Sequence, residues 1–313
     1  MGGEGMQVSV IIPTKNGGRY LGRLFKTLKE QTFRPVQILV VDSSSDDNTS
    51  SMCEAFGADL IQIDAKTFDH GGTRNLAASR AIGDVLVFMT QDALFKDIEC
   101  LENLIRPLED PIIAASYGRQ IPREDANPVE VFARSFNYPP TEVIKGIGDL
   151  PKLGVKTFFF SNACSAIKKR AYEEIGGFPE RTIMNEDMFF AARLIMKGYK
   201  IAYQPNAIVY HSHNYPLTTQ FRRYFDIGVF FSTNRWIKDV ARSEREGMRY
   251  LKEEIRFLTA NGQKNWIPYA LADTTIRFLG YRAGLLEKRL PSKIKKLTSY
   301  NKHFWENGIS TSE

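Results

Sequence analysis

The chain has 313 residues, of which 43% are hydrophobic and 25% are charged, and these fractions exclude a mainly disordered or fibrous protein. Its length allows one large domain or two ordinary ones. The formal net charge of +6 favours an anionic partner, such as a nucleotide, a phospholipid surface or a nucleic acid, without choosing among them.

The first part of the chain alternates short apolar runs with segments of helical spacing. The β-branched runs predict strands at 7–13, 37–42 and 60–63 and from Val85 onwards. Apolar residues three and four positions apart predict helices at 19–31, up to Phe56 and at 76–81. This succession of β and α units predicts a mainly parallel sheet.

The second part continues this pattern and then changes character. We expect helices at 95–108, 168–175 and 184–197, and strands at 112–117 and 201–210. Residues 122–151, rich in proline, glycine and charge, predict a long loop with a candidate helix near 129–136. From Leu217 to about Gly308 the pattern is helical, with basic and aromatic residues interleaved.

Acidic residues stand where predicted elements begin or end. Asp42 and Asp92 follow buried strands, and ligands of open α/β sheets bind at the carboxyl ends of strands. The alternative for Asp92 is a cap of the next turn. Glu186 and Asp187 begin a predicted helix, where a capping role is the alternative.

Six motifs in order carry a family resemblance. They are VSVIIPTKNG at 8–17, ILVVDSSSDDNT at 38–49, FDHGGTRN at 68–75, TQDA at 90–93, NED at 185–187 and HSH at 211–213. Together they resemble the family 2 inverting glycosyltransferases of the GT-A fold, and within them the rhamnosyltransferase-like branch. The resemblance implies an α/β fold whose mainly parallel central sheet is flanked by helices. We expect a catalytic domain at 6–215 and a helical extension at 216–313.

The resemblance also implies a reaction. A sugar, L-rhamnose from dTDP-rhamnose, would pass to a hydroxyl of a growing, lipid-linked cell-surface glycan. A related transferase using UDP-galactofuranose or another UDP-sugar is the alternative among enzymes. The alternative from another class is a basic nucleic-acid binding protein with an α/β core. A helix-turn-helix or a sheet-aromatic signature would favour it, and the sequence shows neither.

Donor-binding residues follow from the matched motifs. The resemblance places them at Pro13, Thr14, Asn16, Asp42, Ser44, Asp69, His70, Arg74, Gln91 and Asp92. Asp42 would accept a hydrogen bond from the pyrimidine ring, and Arg74 would contact the diphosphate. The alternatives are a solvated helix-terminal arginine for Arg74 and a structural loop role for Asp69 and His70.

The resemblance implies a divalent ion, Mg²⁺ or Mn²⁺, and a general base. Asp92 matches the last carboxylate of the D-x-D motif, and the residue before it is the neutral Gln91, which leaves strict metal dependence open. His211 has the spacing of a metal-binding histidine in relatives; a surface or capping role is the alternative for it and, more strongly, for His213. Asp187 matches the base that deprotonates the acceptor and is expected to stay ionised near a cation, with Glu186 orienting it or the acceptor.

The sequence bears on location as well. No window approaches the roughly 18 uninterrupted apolar residues of a spanning helix, and the N-terminus has no apolar signal core. Cys53, Cys100 and Cys164 lie far apart and indicate neither disulfides nor a zinc site. We expect a cytoplasmic protein, peripheral at most on the membrane. Its basic C-terminal helices would suit a membrane surface, a homodimer interface or a lid equally.

Overall fold

A mixed β-sheet forms the centre of the fold in the computed structural model, which describes residues 6–241 and 246–306. Its strands are β1 (Val8–Thr14), β2 (Gln37–Asp42), β3 (Asp59–Gln62), β4 (Val85–Met89), β5 (Leu94–Phe95), β6 (Ile113–Ile121), β7 (Val143–Lys145), β8 (Cys164–Lys168) and β9 (Lys200–Tyr210). The strand order is β3-β2-β1-β4-β8-β6-β9-β5, and β7 pairs with β9.

The direction of the strands changes in the middle of the sheet. β1 to β4 pair in parallel, as predicted. β8 runs antiparallel to both β4 and β6, because it begins at the edge where those two strands end. β6 and β9 are again parallel, whereas β5 and β7 pair antiparallel to β9. The expectation of a mainly parallel sheet therefore needs correction in the second half.

Helices cover both faces of the sheet. They are α1 (Gly18–Lys29), α2 (Thr49–Phe56), α3 (His70–Arg80), α4 (Cys100–Ile105), α5 (Pro128–Asn137), α6 (Leu150–Leu153), α7 (Lys169–Ile175), α8 (Glu186–Met196), α9 (Leu217–Thr233), α10 (Arg235–Val240), α11 (Glu246–Ala260), α12 (Ile267–Leu285) and α13 (Ser292–Thr298). Alternate residues of β1 enter opposite cores: Val10 and Ile12 pack with α1, and Ile11 packs with α3, α7 and α8. The first strands are thus buried on both faces, as their continuous apolar runs predict.

Two predicted helices have different bounds in the structure. The helix expected at 76–81 already begins at His70, because the Asp69 carboxylate accepts a hydrogen bond from the Gly72 N–H (2.7 Å) and caps it. The helix expected at 95–108 is shorter, since Leu94–Phe95 pairs with β9 and Pro107 lies in a 3₁₀ turn at Arg106–Glu109.

The C-terminal helices pack on the same core as the sheet. Phe225, Val229 and Phe230 of α9 are buried in the cluster that also contains Ile11 of β1. α12 crosses α9 closely, since a Cβ at Gly284 would lie 2.0 Å from a carbonyl oxygen of α9. No helix among residues 6–241 and 246–306 is both long enough and apolar enough to cross a bilayer. Residues 307–313 of the expected extension lie outside the described residues.

Asp226 of α9 anchors the end of the described chain. Its fully buried carboxylate accepts hydrogen bonds from the Ser299 hydroxyl (2.7 Å) and from the backbone N–H groups of Tyr300 (3.0 Å) and Asn301 (2.9 Å). The Asn301 side-chain amide in turn donates to the carbonyl oxygen of Ile183 (3.1 Å), in the loop before α8. The C-terminal segment is therefore tied to the loop that leads into Glu186 and Asp187.

We expect Asp226→Asn to destabilise the protein by about 1–3 kcal/mol, because the new amide group faces an N–H donor and leaves it buried without a partner. Urea unfolding at pH 8 measures this, above the pKa of about 6 to which burial raises the Asp226 carboxyl. Asp239→Asn, the same change at an exposed residue, is the control. Equal unfolding midpoints for the two variants would contradict the anchoring role.

Candidate active site

The residues singled out from the sequence come together at one edge of the sheet. Asp42 ends β2, Thr14 ends β1, and Gln91 and Asp92 follow β4. His211 follows β9, which is parallel to β6 and brings its C-terminal end to the same edge. This is the edge formed by the carboxyl ends of the parallel strands, where open α/β sheets bind their ligands.

The loops after β1 and β2 hold each other through short polar contacts. Both oxygens of the buried Asp42 carboxylate accept from Ser45, one from its hydroxyl and one from its N–H (3.2 Å). The Ser45 hydroxyl accepts from the Asn16 N–H (2.7 Å). Asn16 and Ser44 have positive φ angles of 49° and 56°, a strained conformation for residues other than glycine. Pro13 lies just before this loop, within β1.

Gln91 joins the end of β1 to the end of β4. Its carbonyl oxygen accepts from the Thr14 hydroxyl and from the Lys15 N–H (3.0 Å), while its amide donates to the Lys15 carbonyl oxygen (3.2 Å). An aspartate has no N–H to donate, so it could not make the last of these contacts. A glutamine directly before Asp92 thus has a structural role.

Asp92, His211 and His213 form a group that can hold a metal ion. Their ligand atoms all lie within 4.8 Å of one another, with each imidazole Nε2 3.5 Å from an Asp92 oxygen. The Arg123 guanidinium lies 3.2 Å from the same carboxylate. Burial disfavours the charged carboxylate, but His211, His213 and Arg123 outweigh it and hold the pKa of Asp92 well below its usual range. Among the described residues, no backbone N–H donates to this carboxylate, so the turn-cap alternative is not observed.

Gln120 on β6 sets the orientation of His211. Its carbonyl oxygen accepts from the Arg134 guanidinium (2.5 Å), which can only donate, and it lies 2.8 Å from Nδ1 of His211. Nδ1 must therefore carry a proton, which leaves Nε2, on the side of Asp92, as the ring nitrogen that can bind a metal ion. Sequence reasoning missed Gln120 and Arg134, because 91 residues separate Gln120 from the histidine that it orients.

His213 joins the metal-capable group although the sequence favours a surface or capping role for it. Burial and then the neighbouring His211 lower the pKa of His213 to about 4, which keeps its imidazole neutral at physiological pH. Its ring stacks on Tyr215, with ring centroids 4.9 Å apart. The spacing of the H-S-H motif was the available signal, because alternate residues of an extended segment point to the same side.

Asn162, which sequence reasoning missed, holds both acidic residues at the start of α8. Its side-chain amide donates to Glu186 (3.3 Å) and its backbone N–H donates to Asp187 (3.2 Å). Met188 N–H donates to the other oxygen of Asp187 (2.8 Å). Asn185, in a left-handed conformation with φ of 60°, leads the chain into this helix. The capping alternative is thus partly observed for Asp187.

The two carboxyl groups have opposite pKa shifts. Burial raises the pKa of Glu186, but Arg74, 3.4 Å away, and then His70 outweigh it and lower the pKa overall. Burial and then the charge of Glu186 raise the pKa of Asp187 to about 7. The expectation that Asp187 is ionised concerns a site that holds a cation, so it stays a prediction. A carboxyl group poised near neutral pH is suited to general-base chemistry.

The D-H-G-G-T-R-N segment contacts Glu186 through Arg74. The guanidinium of the buried Arg74 forms an ion pair with Glu186 and donates a hydrogen bond to the carbonyl oxygen of His70 (2.8 Å). Its contact with a diphosphate therefore stays a prediction. Asp69 caps α3 and accepts from the Arg181 N–H (3.1 Å), which is the structural alternative. Gly71 is needed for packing, because a Cβ there would lie 2.0 Å from the carbonyl oxygen of Pro179.

One hydrogen-bonded path connects the metal-capable group with Asp187. Gln120, which contacts His211, also donates from its amide to the Ser161 hydroxyl (2.8 Å). Ser161 directly precedes Asn162, whose N–H donates to Asp187. The Asp187 carboxyl and the metal-capable group thus lie on the same edge of the sheet.

Comparisons with known proteins agree with this geometry. The family profile described as "Glycosyl transferase family 2" matches residues 9–176. O-antigen chain rhamnosyltransferase RfbN of Salmonella typhimurium (strain LT2) is 44% identical over 96% of this chain and 97% of its own. O-antigen chain rhamnosyltransferase WbaN of Salmonella anatum is 44% identical over 96% of each chain.

Solved structures share the fold. The mannosyltransferase PcManGT from Pyrobaculum calidifontis, in complex with GDP-Man and Mn²⁺, has a TM-score of 0.57 at 18% identity over 98% of this chain and 88% of its own. S. aureus TarS in complex with UDP-GlcNAc has a TM-score of 0.54 at 16% identity over 91% and 92%. The predicted GT-A fold class is confirmed. The family profile and the near-full-length relatives together show that this chain is a glycosyltransferase and belongs to glycosyl transferase family 2.

Proposed function

We propose that this protein transfers L-rhamnose, with inversion, from dTDP-rhamnose to a hydroxyl of a growing O-antigen-type glycan. The 44% identity with two O-antigen chain rhamnosyltransferases over nearly the whole chain supports rhamnose as the transferred sugar and an O-antigen-type glycan as the acceptor. The dTDP nucleotide rests on the rhamnosyl-branch motifs at 68–75 and 90–93. Membership of family 2 removes the reason for the nucleic-acid binding alternative.

The ligand atoms at the sheet edge fit a divalent ion. One carboxylate and two neutral imidazoles, from Asp92, His211 and His213, suit Mn²⁺ better than Mg²⁺, which prefers oxygen ligands. When bound, such an ion supplies positive charge against the diphosphate as the glycosidic bond breaks. Gln120 would keep His211 in the tautomer that can bind the ion.

The donor would lie along the loops after β1, β2 and β4. We assign the nucleoside and diphosphate contacts to Pro13, Thr14, Asn16, Asp42, Ser44, Arg74 and Gln91, and the sugar pocket to Asp69 and His70. The contacts of Asp42 with Ser45 hold this loop in place before a nucleotide arrives. The catalytic domain would span 6–215, with 216–313 closing the acceptor side or binding a membrane surface or a second copy.

Asp187 is the proposed general base. It would take the proton of the acceptor hydroxyl as that oxygen attacks the anomeric carbon from the face opposite the diphosphate, which inverts the configuration. Asn162 and Met188 orient its carboxylate through their N–H groups. Glu186 stays charged beside Arg74 and keeps the proton affinity of Asp187 high.

This assignment predicts how activity depends on pH. Because the base must be unprotonated and its pKa is raised to about 7, kcat/KM should rise with pH up to that range and then level off. Glu186→Gln removes the neighbouring negative charge, so it should move the midpoint of the rise to lower pH. Rates measured between about pH 5.5 and 9 test both points. An unmoved midpoint in the variant would count against Asp187 as the titrating group.

A donor panel tests the proposed function. The purified protein is given dTDP-L-rhamnose, UDP-galactofuranose, UDP-GlcNAc or GDP-mannose with Mn²⁺ and a lipid-linked glycan acceptor, and product formation and nucleotide release are measured. We expect turnover with dTDP-L-rhamnose, and NMR of the product should show an anomeric configuration inverted relative to that of the donor. Turnover with a UDP-sugar alone would replace the proposed donor, and turnover with none of the four would reject the assignment.

A further inference from the structure

Within residues 6–241 and 246–306, Arg223 of α9 has no carboxylate partner, and it lies near the metal-capable group. Its guanidinium carbon lies 4.6 Å from the ring centroid of Tyr215 and 5.7 Å from that of Tyr300. Among the described residues it makes no ion pair and no hydrogen bond. The Asp226 carboxylate, one turn further along α9, is taken up by the C-terminal segment. A guanidinium held between two rings in this way is ready to bind an anion.

Arg223 lies close to the metal-capable group. Tyr215, one of its two ring neighbours, stacks on His213, a member of that group, with ring centroids 4.9 Å apart. The charge of Arg223 also contributes, after burial and Arg74, to the lowered pKa of His70. The guanidinium is therefore next to the proposed ion site.

The other three arginines of the site are already paired. Arg74 contacts Glu186, Arg123 contacts Asp92 and Arg134 contacts Glu130, so in the part of the chain that the structure describes Arg223 alone of the four has no carboxylate partner. Its flanking rings are also fixed, since Asp226 anchors the segment that carries Tyr300. An arginine that is held in place beforehand loses less freedom when it binds a ligand.

We propose that Arg223 binds a diphosphate group, with Tyr215 and Tyr300 as its side walls, next to the group formed by Asp92, His211 and His213. Guanidinium groups pair with phosphate oxygens through two parallel N–H···O bonds, which lysine cannot make. The proposal rests on the proposed function, in which two substrates can supply a diphosphate. These are the nucleotide-sugar donor and a diphosphate-linked acceptor.

The test compares Arg223→Met with Arg222→Met in the full-length protein. Arg222 carries the same charge on the same helix but lies in a groove lined by Leu217, Phe221 and Leu297. Calorimetry with Mn²⁺ measures the binding of dTDP and dTMP, and of UDP and UMP. For a donor contact, Arg223→Met should weaken dTDP binding about 10- to 100-fold and leave dTMP binding within about threefold. Arg223→Lys should lie between it and the wild type, and Arg222→Met should match the wild type.

Steady-state kinetics distinguish a diphosphate of the acceptor from a diphosphate of the donor. If the diphosphate belongs to the acceptor, dTDP binding stays unchanged in Arg223→Met, while KM rises for a glycan acceptor linked through diphosphate. KM for the same glycan on a phosphate-free aglycone should not change. Either pattern supports a diphosphate-binding Arg223.

Three results would overturn the proposal. In the first, Arg223→Met matches Arg222→Met in every measurement. In the second, Arg223→Met weakens the binding of dTMP and of dTDP equally. Alternatively, Tyr300→Ala would reproduce the whole loss, which would show that Arg223 only orders the C-terminal segment. The proposed function fails separately, when the wild-type protein binds neither dTDP nor UDP; Arg223 then loses its role as well.

Discussion

Asp187→Asn should lower the rate of transfer by about 100- to 10,000-fold while donor binding stays close to that of the wild type. An asparagine cannot take the proton from the acceptor hydroxyl, which is why the chemical step suffers. The Asp187 carboxylate binds only the N–H groups of Asn162 and Met188 among the described residues, so the nucleotide loops and the metal-capable group keep their contacts. Single-turnover rates and dTDP titration on the same preparation measure the two effects.

The substitution has a structural cost that needs its own control. One new amide N–H group must face an N–H donor, so unfolding is measured alongside activity. Asp110→Asn is the matched variant, because Asp110 also accepts from a backbone N–H (Ile112, 3.0 Å) but precedes β6 at the opposite edge of the sheet. Normal turnover by Asp187→Asn, or an equal loss in Asp110→Asn, would show that the base lies elsewhere.

The fold was predictable from the sequence where burial and pattern coincide. The β-branched runs at β1, β2 and β4 are buried on both faces and appear as parallel strands. β8 was not predicted as a strand of this sheet, and its antiparallel direction depends on a connection whose path no local pattern shows. The position of Asp42 and Asp92 at one edge follows from the parallel strands alone.

The partners of the site residues could not be predicted in the same way. Gln120, Asn162 and Arg123 are ordinary polar residues in the sequence, and each acts through a residue at least 24 positions away. The raised pKa of Asp187 is likewise a product of burial and of Glu186 beside it, and a sequence does not show burial. Motifs therefore located the chemistry, whereas tertiary contacts decide its protonation and orientation.

Asp92→Asn should weaken Mn²⁺ binding by about 100-fold or more, and turnover should fall with it. Loss of an outer partner of a metal ligand typically costs 10- to 100-fold in affinity, and a direct anionic ligand should cost at least the upper value. The substitution also leaves the Arg123 guanidinium, 3.2 Å from the carboxylate in the structure, as an unbalanced positive charge that repels a cation. Electron paramagnetic resonance of free Mn²⁺ measures the affinity without any need for activity.

Metal removal and a matched variant decide whether this effect belongs to the ion site. Chelation should abolish turnover by the wild type, and added Mn²⁺ should restore it. Asp97→Asn, at an exposed residue a few positions along the chain, should bind Mn²⁺ like the wild type. Because Gln120 fixes the tautomer of His211, Gln120→Ala should weaken Mn²⁺ binding less than Asp92→Asn does. Undiminished turnover in a chelator would instead make Arg123 and its neighbours the source of the positive charge that the leaving diphosphate needs.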